Sequence, residues 1–341
     1  MKIRFSLVNL LFFSVLIFLL VACNSNPNGT NTTSENNNSG EAGNQTHSIK
    51  RYEQALFSIP PADLKQGLEK IAPDFRVFLG NQYTSPEALQ QLHDFITDQQ
   101  NLATFRDCEK QYTDLKRLEA DFQTAFDNLA KALPSFKQPV VYTYVSGFDF
   151  EYPVKYADTA LIIGLDMYLG SNYKKYREMG VPVYITRRLT AEHILPDSFR
   201  EIANSILQSK KNQLIIDAMI EEGKVLYFLD VALPDTDDAT KIGYTPGQIQ
   251  WCKENEQNLW SFIIENELLY KADARAFSIL MTDGPFTSSF SQDSPARTGA
   301  WLGWQIVRSY MKRNKVALSN LLANTNPQEI LELSGYKPER K

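Results

Sequence analysis

Apolar positions recur at helical spacing over two long stretches of this chain, with strand-like spacing between them. From Asp63 to Leu133 the pattern is helical. Pro86 directly follows Ser85, the first-turn position where proline's missing N–H costs nothing, and it opens PEALQQLHDFITD. Leu115, Leu118, Phe122, Phe126, Leu129 and Leu133 recur at three- and four-residue steps, which predicts a longer helix with one apolar face, stopped by Pro134. The period then changes. VVYTYVSGF (140–148) and TALIIGLDMYLG (159–170) are rich in β-branched and aromatic residues, and with Pro139, Pro153 and Gly170 as boundaries they predict strands. VPVYITRRL (181–189) reads as a third strand or an extended loop. Helices return from Pro196 onward, over about 197–208, 213–230, 246–268, 298–313 and 327–333. Thr245-Pro246 and Asn326-Pro327 each place a capping side chain before a first-turn proline. Helices, then strands, then helices predict an α+β fold, a mostly helical domain with a small central β-sheet. No internal repeat interrupts that order.

Ahead of this pattern lies a different kind of segment. Lys2 and Arg4 precede an apolar run from Leu10 to Val21, interrupted only by Ser14, and the run ends in Leu20-Val21-Ala22-Cys23. The run is too short to span a bilayer comfortably, and a small residue directly before cysteine is what a lipoprotein signal peptidase cuts. Residues 1–22 therefore read as a lipoprotein signal peptide. Cys23 becomes the mature N-terminus and the lipid attachment site, so the bilayer is the first partner expected. Each buried methylene of its acyl chains contributes roughly 0.8 kcal/mol of membrane affinity. Asn24 and Ser25 provide neither an inner-membrane retention aspartate nor an acidic export signal, which points to the outer membrane, facing the periplasm. Residues 23–48, almost entirely Asn, Ser, Gly and Thr after the cysteine, read as a flexible tether with a root-mean-square reach of roughly 25–30 Å.

Residues 49–341 show no second low-complexity linker and read as one globular domain. The net charge of −5, with no basic stripe carrying interleaved aromatics, argues against a nucleic-acid partner. Besides Cys23 only Cys108 and Cys252 remain, which is no disulfide framework. They read as two buried thiols, with a single bridge as the alternative.

Candidate chemistry is sparse. The three histidines are His47 in the tether, His93 on an early helix and His193 near a loop. A hydrolytic zinc site usually draws two or three histidines, often as H-E-x-x-H on one helical face, and no such pair exists. His193 follows Glu192, but Asp197 stands four residues on, so it reads as a loop or surface histidine. Ser146-Gly147 and Ser171-Asn172 lack both a G-x-S-x-G elbow and an evident histidine partner. No catalytic residue, metal ligand or cofactor site is assigned. Glu222 stands out because its three- and four-step neighbours are Ala218, Met219, Val225 and Leu226, which places a carboxylate on an apolar helix face. Such a group needs a partner or becomes neutral. It is either a structural pair with an arginine such as Arg297 or Arg308, a ligand or acid/base carboxylate, or a partly exposed edge residue.

In PFTSSFSQDSPARTGAWLGWQIVRSYM (285–311), Gly299 and Gly303 lie one helical turn apart, so another element can approach that backbone closely. Trp304, Val307 and Tyr310 or Met311 continue an apolar stripe beside them, which reads as core. Trp251 and Trp260, with Asn255-Glu256 between them, form a similar aromatic-polar helix.

The lipobox, GLDMYLG (164–170), MIEEGKVLYFLDVALP (219–234), KIGYTPGQIQWCKENEQNLW (241–260), the 285–311 segment and the closing YKP (336–338) together resemble the gliding-motility lipoprotein GldB family. The resemblance implies a membrane-anchored component needed for movement over surfaces, connected with an envelope protein partner in the gliding and protein-secretion machinery. It brings no catalytic residues. A fainter likeness links E-G-x-x-x-Y-F and R-T-G-x-x-x-G-x-x-I-V to a family of zinc metallopeptidases, in which the glutamate matching Glu222 would be the third ligand after H-E-x-x-H. DSFREIANSI (197–206) contains no histidine, so this likeness implies a degenerate zincin-like scaffold without its metal site. A non-catalytic lipoprotein that binds a partner is the favoured reading, and a metallopeptidase-like hydrolase with an unrecognised centre is the alternative.

Overall fold

Ser85, Thr245 and Asn326 begin helices where the sequence places them, and each side chain accepts a hydrogen bond from a backbone N–H in the first turn. Thr245 and Gln248 complete a reciprocal capping box. The computed structural model describes residues 48–157, 159–207, 214–287 and 290–338. The signal peptide, Cys23 and all but the last residue of the tether lie outside the described residues.

The helical stretch before the sheet comprises α1 (Tyr52–Phe57), α2 (Leu64–Leu79), α3 (Pro86–Thr97), α4 (Gln99–Gln111) and α5 (Lys116–Ala132). The predicted apolar face of α5 is real: Phe122, Ala125, Phe126 and Leu129 are buried. Four strands form one mixed sheet, β1 (Lys50–Arg51), β2 (Val140–Tyr144), β3 (Val154–Ala157) and β4 (Ala160–Gly164), in the order β1-β2-β4-β3. β1 and β4 run parallel to β2, and β3 is antiparallel to β4. Alternation splits β2 between two cores. Tyr142 and Tyr144 meet Phe78 of α2, whereas Val141 joins the main cluster with Phe122, Phe126, Leu161 and Ile163.

Two strand expectations need correction. The 181–189 segment is no strand: Pro182 leads into a short helix, and its carbonyl accepts from both Ile185 and Thr186. The predicted strands also end early, because Ser146 and Phe148 turn back onto Asp166 and Leu165–Met167 form a 3-10 turn. The short helices after the sheet are α6 (Lys174–Glu178) and α7 (Val183–Thr186). They are followed by α8 (Ile194–Leu207), α9 (Ile215–Ala232), α10 (Asp238–Ile242), α11 (Pro246–Glu265), α12 (Ala274–Met281), α13 (Thr298–Asn314), α14 (Leu318–Ala323) and α15 (Pro327–Ser334).

The central feature of this half is α9 lying against α13. Gly223 and Gly303 face each other with no side chain between, so that a methyl group on either would run into the other helix's backbone, Gly303 on one side and Met219 on the other. Gly299, one turn away, is held somewhat less tightly against α12, where a methyl group would meet the Met281 sulfur and the Leu280 carbonyl. Cys108 and Cys252 are buried and unbridged, and burial pushes both thiols up, away from reactivity. Among the described residues no helix is long and apolar enough to cross a membrane.

Candidate functional site

Three arginines and two carboxylates gather where α8, α9 and the approach to α13 meet. Arg200 on α8 donates from Nη1 to Glu222 Oε2 on α9 at 2.9 Å. Both side chains lie deep yet are reached by solvent, Arg200 at 19% and Glu222 at 33%. Burial pushes the Glu222 carboxyl up, but the Arg200 and Arg297 charges outweigh it and hold the group below its ordinary range, as an anion. Arg297 adopts a left-handed backbone (φ 58°) directly before α13, which turns its side chain back toward α10. Its Nη2 donates to the Ile242 carbonyl at 2.6 Å, and its Nε, without a hydrogen bond, lies 3.7 Å from Asp283. Asp283 also accepts from Arg188 at 2.5 Å. The Tyr244 hydroxyl donates to the Ala296 carbonyl, tying the loop after α10 to the same corner. Arg188, Tyr244, Asp283 and Arg297 line a narrow recess of about 20 Å³, room for little more than one water molecule.

Glu222 therefore does pair with an arginine, Arg200; of the two expected, Arg297 acts on it through its charge alone. Arg308 is instead the centre of a separate network. Its Nε and Nη2 grip Asp230 at 2.7 Å each, and its Nη1 and Nη2 reach Asp238 at 2.8 and 2.7 Å. Trp304 Nε1 and Lys241 Nζ donate to the same Asp230, at 2.9 and 3.0 Å. The guanidinium also stacks 3.7 Å above the Trp304 ring. This network locks α9, α10 and α13 together and leaves Arg308 no part in the Glu222 corner.

The residue that periodicity missed is Arg200. Its signal was present as R-E-I-A-N (200–204), which has the spacing of H-E-x-x-H with arginine and asparagine at the two histidine positions, on a helix packed against the one that carries Glu222. A guanidinium has five donors and no lone pair to offer a metal, and its positive charge already neutralises the carboxylate it faces. The donor set thus does not fit zinc. Among the described residues, no group of three or more His, Cys, Asp or Glu side chains is placed to hold a metal ion. His193 is buried, not at the surface. Its Nδ1 lies 2.8 Å from Thr190 Oγ1, and burial lowers its pKa. The Ser146 hydroxyl donates to Asp166 at 2.9 Å, while Gly147 and Phe148 take positive φ so that the Ser146 and Phe148 N–H groups reach the same carboxylate. That serine shapes a turn.

Lys224, two residues beyond Glu222, is the second unusual charge on α9. It is only 7% exposed, its ammonium donates to the Asn324 carbonyl, and burial lowers its pKa to about 8 despite the opposing pull of Glu221. The unfolded chain binds this proton up to an ordinary pKa of about 10.5, so between pH 8 and 10 the unfolded state holds more protons and stability rises with pH. Lys224→Met should flatten that rise and stabilise the protein at pH 7 by about 2 kcal/mol, read from urea unfolding at several pH values. An unchanged pH profile in the variant would show that the amine is solvated.

A family model described as gliding motility protein GldB matches residues 33–338. No curated protein and no solved structure matches the chain. The family match runs through the sheet, both helical stretches and the Arg200–Glu222 corner alike, and by that extent the chain belongs to the gliding motility protein GldB family.

Proposed function

We propose that this protein is a lipid-anchored component of the cell envelope that supports gliding motility by binding a partner, without catalysis. Family membership supports the motility role. The L-V-A-C sequence ending at Cys23 supports the anchor, with the domain facing the periplasm from the outer membrane. Its partner is an envelope protein of the gliding and associated secretion machinery.

The observation that carries the non-catalytic reading is the Arg200 guanidinium held 2.9 Å from Glu222. A carboxylate poised for acid/base work has its pKa raised toward neutrality, whereas Glu222 is held low by two arginines. The neighbouring recess at Arg188, Asp283 and Arg297 is also too small to admit a peptide or sugar chain. The corner instead has the character of a brace: Arg200 joins α8 to α9, and Arg297 joins the start of α13 to α10. Elemental analysis of protein purified without chelators should find zinc well below one equivalent per chain. Close to one equivalent, lost in Glu222→Ala, would reverse this reading and make metal-assisted hydrolysis the leading function.

A further inference from the structure

Between α6 and α7 the chain forms a tip, Met179-Gly180-Val181-Pro182-Val183, in which Val181 packs toward the core while Met179 and Val183 are left uncovered. Val183 is 73% exposed and Met179 47%, with Gly180 and Pro182 open beside them. Apolar side chains this exposed are normal singly, but here they share one protrusion. The charges around the tip are biased. Lys174, Lys175, Arg177, Arg187 and Arg188 are accompanied within residues 174–188 by one acid, Glu178, in a chain whose net charge is −5. Glu178 is engaged by Lys174 at 2.9 Å, Lys175 donates to Thr104, and Arg188 is held by Asp283. Arg177 and Arg187, exposed on either side of the apolar residues, have no acidic partner among the described residues.

Much of the backbone of the tip is closed on itself. Met179 N–H donates to Lys175 O, Gly180 to Arg177 O and Val181 to Tyr176 O, while Ile185 and Thr186 both bond back to Pro182 O and Arg187 to Val183 O. Pairing these amides lowers the cost of leaving water, and the N–H groups of Val183 and Tyr184, in the first turn of α7 and without an acceptor among the described residues, are left to face lipid phosphate and ester oxygens. A cationic collar around an apolar point is complementary to a surface with anionic groups at its rim and hydrocarbon beneath. The tip is also placed to reach such a surface. Lys175 contacts Thr104 in the middle of α4, and Arg51, three residues after Ser48, donates to the Tyr112 carbonyl directly after its end, about 12 Å along the helix axis. The residues between Cys23 and Ser48 span at most about 90 Å, so anchoring at Cys23 leaves the tip free to touch the same bilayer.

We propose that residues 177–187 form a second membrane contact, in which Met179 and Val183 enter the interface of an anionic bilayer and Arg177 and Arg187 meet its lipid phosphates. The proposal rests on the lipid-anchored reading above, and it gives the domain a fixed orientation on the membrane, with the Arg188–Asp283 recess beside the bilayer surface.

The test uses the full lipidated protein with Val183→Cys carrying an environment-sensitive fluorophore, which is selective because Cys108 and Cys252 are buried. It is reconstituted into phosphatidylcholine vesicles with and without phosphatidylglycerol, some carrying brominated acyl chains. The expected result is co-flotation in all cases, with blue-shifted emission and bromine quenching that are strong in the anionic vesicles. Both signals should fall by about threefold or more in Arg177→Glu, Arg187→Glu at an unchanged melting curve. Co-flotation with the probe still reporting water overturns the proposal alone. A probe that becomes shielded only when envelope proteins are added overturns it in favour of a protein partner. Failure to float overturns the anchor, and the proposal with it.

Discussion

Gly303→Leu should be among the most destabilising single substitutions in this protein, costing about 3 kcal/mol or more. The reason is rigid geometry. At most core positions an added side chain can push aside a neighbouring rotamer, and overpacking then costs about 1–3 kcal/mol. At Gly303 the obstacle is the Met219 carbonyl, part of the α9 backbone, and on the opposite side Gly223 presses against Gly303 itself. The two helices would have to separate, which would disturb the buried residues packed between them, including Met219, Leu226, Leu302 and Val307. Circular-dichroism melts should show a large drop in Tm or loss of the folded state. A melt within a degree or two of wild type would mean that α9 and α13 are not in backbone contact.

Asp230→Ala should cost about 3–5 kcal/mol by a different route, because one carboxylate accepts four hydrogen bonds from three side chains. Removing it leaves Arg308 with half its partners and strips Lys241, whose side chain is 4% exposed, and the buried Trp304 indole of their acceptors. Breaking a buried pair from one side is expensive because the remaining charge stays desolvated. The double variant Asp230→Ala, Lys241→Met should recover part of the loss, since it no longer buries an unpaired ammonium. Urea unfolding of the two variants measures this directly, and equal stability of single and double variants would show that Lys241 reaches water.

Much of the architecture was readable because its signals are local. A capping side chain before proline, or an apolar face repeating along α5, is written within a few consecutive residues, and those helices fall within a few residues of where they were expected. Three kinds of feature were not readable. The short helices α10, α12 and α14 offer one or two turns, too few for a period to emerge. β1 and β3 are two and four residues long and exist only through pairing with distant partners. The 181–189 segment has strand-forming residues, but no sheet edge receives it, and Pro182 accepts helical hydrogen bonds instead. The site divides along the same line. That Glu222 needs a partner follows from the helix that carries it, and that Gly303 allows close contact follows from its one-turn spacing to Gly299. Which arginine answers Glu222 depends on how α8 lies against α9: Arg200 makes the hydrogen bond, Arg297 contributes only its charge while bonded to Ile242, and Arg308 is committed to Asp230 and Asp238.

The central claim, that this protein supports gliding as a binding scaffold, is tested most directly by colony spreading of a strain deleted for it and complemented with Glu222→Gln. Glutamine keeps the volume and an acceptor oxygen for Arg200, while it removes any carboxylate that could transfer a proton or hold a metal. The account predicts that deletion abolishes spreading and that Glu222→Gln restores it to nearly the wild-type rate. A variant present at wild-type abundance, in the membrane fraction and with a wild-type melting curve, that nonetheless fails to restore spreading would contradict it.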